Sequence, residues 1–234
     1  MNRLFTAIVV AVLFLSGGAG AATFETGLEA AKKGEYAAAL EAWRPLAAKG
    51  HTEAQYHLGL MYRHGRGVSR DYEEAAKWFR LSADKGYMES EYALATLFVA
   101  GKGVGRDYKK AFALFEKAAA QGSPAAKNNL AHMYRYGKGV RKSIGRALIW
   151  YQKAIADGYP PALDAMGRLY ANGQYVPKDN VEAFKWLFLA KNFGSTGGAR
   201  YLKYVTKKLT DAQVEQATKM AHEWIAAFRA RKQN

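Results

Sequence analysis

Five glycines, Gly50, Gly86, Gly122, Gly158 and Gly194, stand 36 residues apart without insertion or deletion. Other columns keep the same step. Leu58, Leu94, Leu130 and Met166 align, as do Tyr62, Phe98, Tyr134 and Tyr170. Gly65, Gly101, Gly137 and Gly173 follow, then Val68, Val104, Val140 and Val176, then Ala75, Ala111, Ala147 and Ala183. Trp78, Leu114, Trp150 and Trp186 form a large-residue column. A fixed period of this length means that one supersecondary unit is stacked on itself, because a single unit cannot bury its own apolar face.

Within Glu53–Gly86, Ala54, Leu58, Met61 and Tyr62 lie at i, i+4, i+7 and i+8, one face of a helix. Gly65 and Gly67 end that helix. Asp71 is placed to cap a second helix, with Glu74 completing a capping-box-like pair, and Asp179 with Glu182 repeats it. Ser143 takes the cap position in one unit. Tyr72, Ala75, Ala76, Phe79 and Ala83 supply the second apolar face, and Gly86 closes the unit. Each unit is therefore helix, turn, helix, turn. Tyr175 replaces the second turn glycine and predicts a turn of different shape. Trp43 reads as one place out of register with Trp78.

The organisation expected is a leader over 1–21, a capping hairpin over 22–50, four repeats over 51–194 and cap helices over 195–234. The leader rests on Arg3, an apolar run Leu4–Leu15 and a small-residue cleavage site at Ala19-Gly20-Ala21. The run is shorter than the roughly 20 residues a membrane span needs. Gly194–Gly198 (GSTGG) reads as a flexible junction. Thr210 with Gln213 opens a last helix striped by Val214, Ala217, Ala221, Trp224 and Phe228. The chain contains no cysteine, which excludes disulfides, a thiol nucleophile and lipid attachment at an N-terminal Cys.

The formal charge is +15. Without Arg3, 34 basic residues stand against 20 acidic, or +14. Such a charge attracts anions. Nucleic acid is not expected, since an export leader argues against it and no recognised binding motif is present.

The pattern Ala54, Leu58, Gly59, Tyr62, Gly65, Gly67, Val68, Asp71, Tyr72, Ala75, Trp78, Ser82, Ala83, Gly86 resembles the Sel1-like repeat family, which is related to tetratricopeptide repeats. Four units match, over Thr52–Gly194. The resemblance implies an all-α, right-handed solenoid of helix-turn-helix repeats, used as an adaptor or scaffold in bacterial envelopes or outside the cell. Members with a regular Cys pair per unit do not inform this chain, which has none.

Related solenoids bind partners on a concave surface lined by first helices. The corresponding side chains are Tyr56, Leu60, Arg63; Tyr92, Thr96, Val99; Asn128, His132, Arg135; and Asp164, Arg168, Ala171. This column varies between units while the core columns do not, and exposed Tyr and Arg are common interface anchors. The alternative is that the tyrosines pack on the neighbouring unit. A second candidate is the basic turn set: Arg66, Lys102, Lys138; Arg70, Arg106, Lys142, Lys178; with Arg141. Its first reading is a solvated edge, its second a ridge for an acidic partner.

His51, His57, His64, His132 and His222 do not fall at metal-ligand spacing; no metal or cofactor is expected. Asp71 and Asp179 read as helix caps, Gly65-Arg66-Gly67 as a turn without a preceding strand, and no catalytic trio is legible. The expected protein is an exported, monomeric, non-enzymatic scaffold, periplasmic or secreted, that holds a protein or peptide. The alternative is a cationic binder of an anionic envelope polymer such as peptidoglycan or lipopolysaccharide.

Overall fold

The computed structural model describes residues 23–233, and the expected leader lies outside them. Among the described residues there are twelve helices and no strand. Ten form hairpins: α1 (Phe24–Lys33) with α2 (Tyr36–Ala48), α3 (Thr52–His64) with α4 (Tyr72–Ala83), and α5 (Met88–Ala100) with α6 (Tyr108–Ala120). Then come α7 (Pro124–Tyr136) with α8 (Ile144–Ala156), and α9 (Pro160–Asn172) with α10 (Asn180–Asn192). Through α10, the main packing is of each helix on its neighbours in the chain, so the hairpins stack as a solenoid. α11 (Ala199–Thr206) and α12 (Asp211–Gln233) both pack on α10 and close the stack. No described helix is long and apolar enough to cross a membrane.

The central core column lies one residue beyond Trp78. Trp43, Phe79, Phe115, Tyr151 and Leu187 stand 36 residues apart and are almost fully buried. Trp43 is therefore in register, while Trp78, Leu114, Trp150 and Trp186 form a half-buried flank. Opposite the column each first helix offers a small residue. A side chain at Gly27 would strike the Trp43 ring, and one at Gly59 the Phe79 ring. Ala95 and Ala131, at the Gly59 position of later units, are fully buried, and Gly167 meets Leu187. Small against large lets the two helices of a hairpin approach, and each buried Phe or Leu contributes roughly 1.5–3 kcal/mol.

Asp71 and Asp179 cap α4 and α10. Asp71 Oδ1 accepts from the Glu73 and Glu74 amides at 2.8 and 3.0 Å, and Asp179 Oδ1 does the same for Val181 and Glu182. The expected return half of the capping box is absent. Glu74 and Glu182 instead accept from Lys77 and Lys185, one turn on, where a cation offers a stronger partner than the cap amide. Ser143 Oγ caps α8 through the Arg146 amide, and Thr210 with Gln213 makes both halves of a box at α12.

The turn between the helices of a unit keeps one shape in all four units. Gly67, Gly103 and Gly139 hold φ of 66–72°. The fourth turn was expected to differ, yet Tyr175 takes φ 69° in the same place. A non-glycine residue there costs roughly 1–2 kcal/mol. The glycine turns sit directly on the preceding unit: a Cβ at Gly103 would run into the Tyr72 carbonyl, and one at Gly139 into that of Tyr108.

Gly194–Gly198, glycine-rich in composition, is tied down. Ser195 Oγ donates to Asp164 Oδ2 at 2.5 Å, and the Ser195 amide donates to the Ala190 carbonyl at 2.9 Å. Gly198 lies against Asp164 with no room for a Cβ. From there α11 reaches α9 as well as α10. Ala217 and Ala221 seat α12 on the stack, and Phe228 meets the Phe193 ring edge-on at 5.3 Å.

Candidate interaction surface

The varying column lies on the first helices α3, α5, α7 and α9, its members one turn apart and flanking the Phe79-type core, which Tyr56, Tyr92 and His132 touch through Phe79, Phe115 and Tyr151. It is not uniform along the stack. Tyr56, Leu60 and Arg63 are half-buried, as are Tyr92, Thr96 and Val99. Tyr56 packs across the unit boundary, 5.4 Å from the Tyr87 ring, and within its own unit, 5.9 Å from Phe79. Tyr92 lies 5.7 Å from Phe115. Burial raises the Tyr56 phenol and lifts Tyr87 to about 12, so both are neutral donors at any physiological pH. Thr96 Oγ1 is spent on the Ala93 carbonyl at 2.6 Å. Tyr56 thus packs partly on the next unit and Tyr92 on its own, and both rings are half-buried.

Asn128, expected on the open face, is buried at 7 % exposure. Asp164 and Ala171 are buried too. The cause at Asp164 is the Ser195–Gly198 segment, which folds over the α9 end of the column. Arg168 stays half-exposed, its guanidinium 5.8 Å from the Tyr201 ring centre of α11.

α7 carries the polar part. Tyr151 Oη lies 3.1 Å from His132 Nδ1, and the Tyr136 ring stacks parallel to the imidazole at 6.2 Å. Burial, then the cations Arg135, Arg168 and Lys138, push His132 down to about 4. The imidazole is thus neutral at neutral pH and hydrogen-bonded through Nδ1 to the Tyr151 hydroxyl. Arg135 Nη2 donates to Gln174 Oε1 at 3.0 Å. Its guanidinium lies 5.1 Å from the Tyr136 ring centre and 5.9 Å from that of Tyr175. A cavity of about 260 Å³ opens beside it, with Val99, His132, Tyr136 and Lys138 in its wall.

The basic turns resolve into two groups. Arg66, Lys102 and Lys138 lie over the rings of Tyr36, Tyr72 and Tyr108 at 5.6, 5.1 and 5.4 Å. Each ring opens the second helix of the preceding unit, so these cations staple unit to unit. In the fourth unit both partners change together, to Ile144 and Gln174. Arg70, Arg106, Lys142 and Lys178 are exposed beside the cap glycines, as is Arg141. Of these, Arg70 also lies over Tyr72, and Lys142 Nζ is 5.6 Å from the Tyr175 ring centre.

Tyr136 and Gln174 were not singled out by sequence reasoning, and Tyr175 was read only as a change of turn shape. Their signal was available as departures from the repeat: Tyr136 stands where other units have His64, Ala100 and Asn172, and Tyr175 breaks a glycine column. His57 is packed between Trp43 and Phe24 at 4.6 and 5.4 Å, and no group of three His, Cys, Asp or Glu suited to a metal occurs among the described residues.

The Sel1 repeat family model matches residues 52–87, 89–123, 124–159 and 160–192. A 49-residue stretch is 43 % identical to the DAP3-binding cell death enhancer 1 of Rattus norvegicus, covering 21 % of this chain and 10 % of that protein. A 54-residue stretch is 44 % identical to an exopolysaccharide production negative regulator of Rhizobium leguminosarum bv. viciae, covering 23 % and 20 %. The matched stretches thus span a tenth to a fifth of those relatives. A Sel1 repeat protein from Oxalobacter formigenes superposes with a TM-score of 0.72 at 24 % identity, over 85 % of this chain and 81 % of that one. A protective antigen of uropathogenic Escherichia coli strains gives 0.68 at 25 % identity, over 86 % and 49 %.

Proposed function

The chain belongs to the Sel1 repeat family, whose members generally mediate protein–protein interactions, and on that premise we propose an exported, non-enzymatic scaffold. It holds a protein or peptide segment along the first helices α3, α5 and α7. One observation carries this reading. The fold requires the core columns in every unit, whereas the Tyr56/Leu60/Arg63 column changes from unit to unit and stays partly open over α3 and α5. Folding alone gives no reason for that variation. Half-open aromatic, aliphatic and Arg side chains in one line supply the anchors that interfaces favour.

The second reading, a cationic binder of an anionic envelope polymer, draws on the +15 charge and on the exposed Arg106, Lys142 and Lys178. Against it, Arg66, Lys102 and Lys138 are engaged with rings of the preceding units.

Affinity capture from a native envelope extract separates the two. It compares wild type, Tyr56→Ala/Tyr92→Ala and Leu60→Ser/Val99→Ser at low and high salt, each variant checked for an unchanged helical spectrum. The scaffold reading expects both variants to lose the same partners at either salt concentration. Release of everything by salt, with the variants behaving as wild type, favours the polymer, because exposed charge pairs are screened. Identical partners in every arm sink the scaffold reading.

A further inference from the structure

Among the four repeats the positive charge is concentrated in one. The unit Ser123–Gly158 holds seven Lys and Arg against one acid, Asp157, which is paired to Lys127 at 2.7 Å. The units His51–Gly86, Tyr87–Gly122 and Tyr159–Gly194 each carry a net charge of +1, from six against five, five against four and four against three. A repeat fold gives no reason for one unit to differ by five charges from its copies.

The departures from the repeat gather at the same place. Tyr136 and Tyr175 are among the most exposed large apolar side chains of the described residues, at 56 % and 49 %. They flank Arg135, whose guanidinium is fixed between them by Gln174. Gln174 is free for that role because the cation-on-Tyr staple of the other turns is replaced by Gln174 and Ile144. Lys142 lies on Tyr175, and Lys138 enters the wall of the adjoining cavity. Tyr175 is held here in the left-handed backbone region that glycine occupies in the other turns. A bulky residue kept in such a conformation, with half its ring in solvent, points to a use for the ring. An arginine held in place by a hydrogen bond and two rings is preorganised for a planar anion.

We infer that the Tyr136–Arg135–Tyr175 cluster, with Lys142, receives a carboxylate next to an apolar side chain on an acidic protein segment. The Arg fork matches the carboxylate, and the two tyrosines offer flat apolar contact on either side. The cavity beside Tyr136 is lined by Val99 and His132, so the site continues the open column of α5 and α7. This rests on the scaffold reading and deepens it by giving the partner a charge and a docking point.

The test is a chemical-shift titration of the tyrosine ring signals of the purified protein. The probes are a short capped peptide with two glutamates flanking a leucine, its glutamine counterpart, and an oligogalacturonate. The glutamate peptide should shift Tyr136 and Tyr175 saturably, and the glutamine peptide should bind at least tenfold more weakly. Arg135→Gln should lose at least tenfold. Tyr175→Gly restores the residue of the other turns, so it keeps the fold, and it should weaken binding several-fold. Equal binding of the two peptides, or wild-type binding by Arg135→Gln and Tyr175→Gly, overturns the assignment. Tighter binding of the oligogalacturonate than of the glutamate peptide overturns the choice of a protein segment. If the peptide arm fails while Tyr56→Ala/Tyr92→Ala still loses its captured partners, only the subsite falls. If neither responds, the scaffold reading falls with it.

Discussion

His132 shows how one side chain reports its surroundings. Its ordinary value is 6.5, and burial followed by Arg135, Arg168 and Lys138 lowers it to about 4. The unfolded chain takes up a proton near 6.5 that the folded protein refuses until about 4. Stability linked to this residue is therefore complete above pH 6.5, is lost as pH falls between those values, and is level below. The total is at most roughly 3 kcal/mol, at about 1.4 kcal/mol per pH unit of displacement. Thermal melts from pH 7 to pH 4 should fall more steeply for wild type than for His132→Gln. Parallel slopes would mean that the imidazole is not desolvated as described. Sequence alone placed His132 on the candidate column but gave no sign of its neighbours. Arg168 and Tyr151 come from other helices, and only packing brings them near. The same limit hid the pairing of Arg135 with Gln174, 39 residues away.

At the level of elements, the turn is the part that transmits register from one hairpin to the next. Gly103 at φ 66° lies against the Tyr72 carbonyl, whereas Gly86 at φ 79° has open space around the position of a Cβ. Both substitutions to alanine meet the conformational cost of a positive φ, about 1 kcal/mol. Only Gly103→Ala adds overpacking, about 1–3 kcal/mol more. Urea unfolding should show Gly103→Ala as the clearly less stable of the two, and equal losses would contradict the seating of turn on helix. Helices, caps and turn positions were legible in the sequence because each depends on neighbours within one unit. The phase of the second helix was legible too, with Phe79 on its apolar face. What was misread is the register of Trp43, which stands 36 residues before Phe79 in the buried column rather than one place off the Trp78 column. The steadiness of the fourth turn was also hidden, since nothing in a tyrosine favours the positive φ that Tyr175 adopts.

Over the whole molecule, the stack is open at its first-helix face and closed at its C-terminal end. The four-unit solenoid followed from the 36-residue step alone. The burial of Asp164 and Ala171 did not, because closure by Ser195–Gly198 and α11 involves no repeated residue. On the proposed reading the surface left to a partner is α3, α5 and α7, ending at the cationic third unit. Hydrogen exchange of the protein with and without its captured partner tests this most directly. Slowed exchange is predicted along α3, α5 and α7, with α4, α6 and α8 unchanged. Protection confined to the second helices, or to the turns 65–71 and 101–107, would show that the partner does not lie along the first helices.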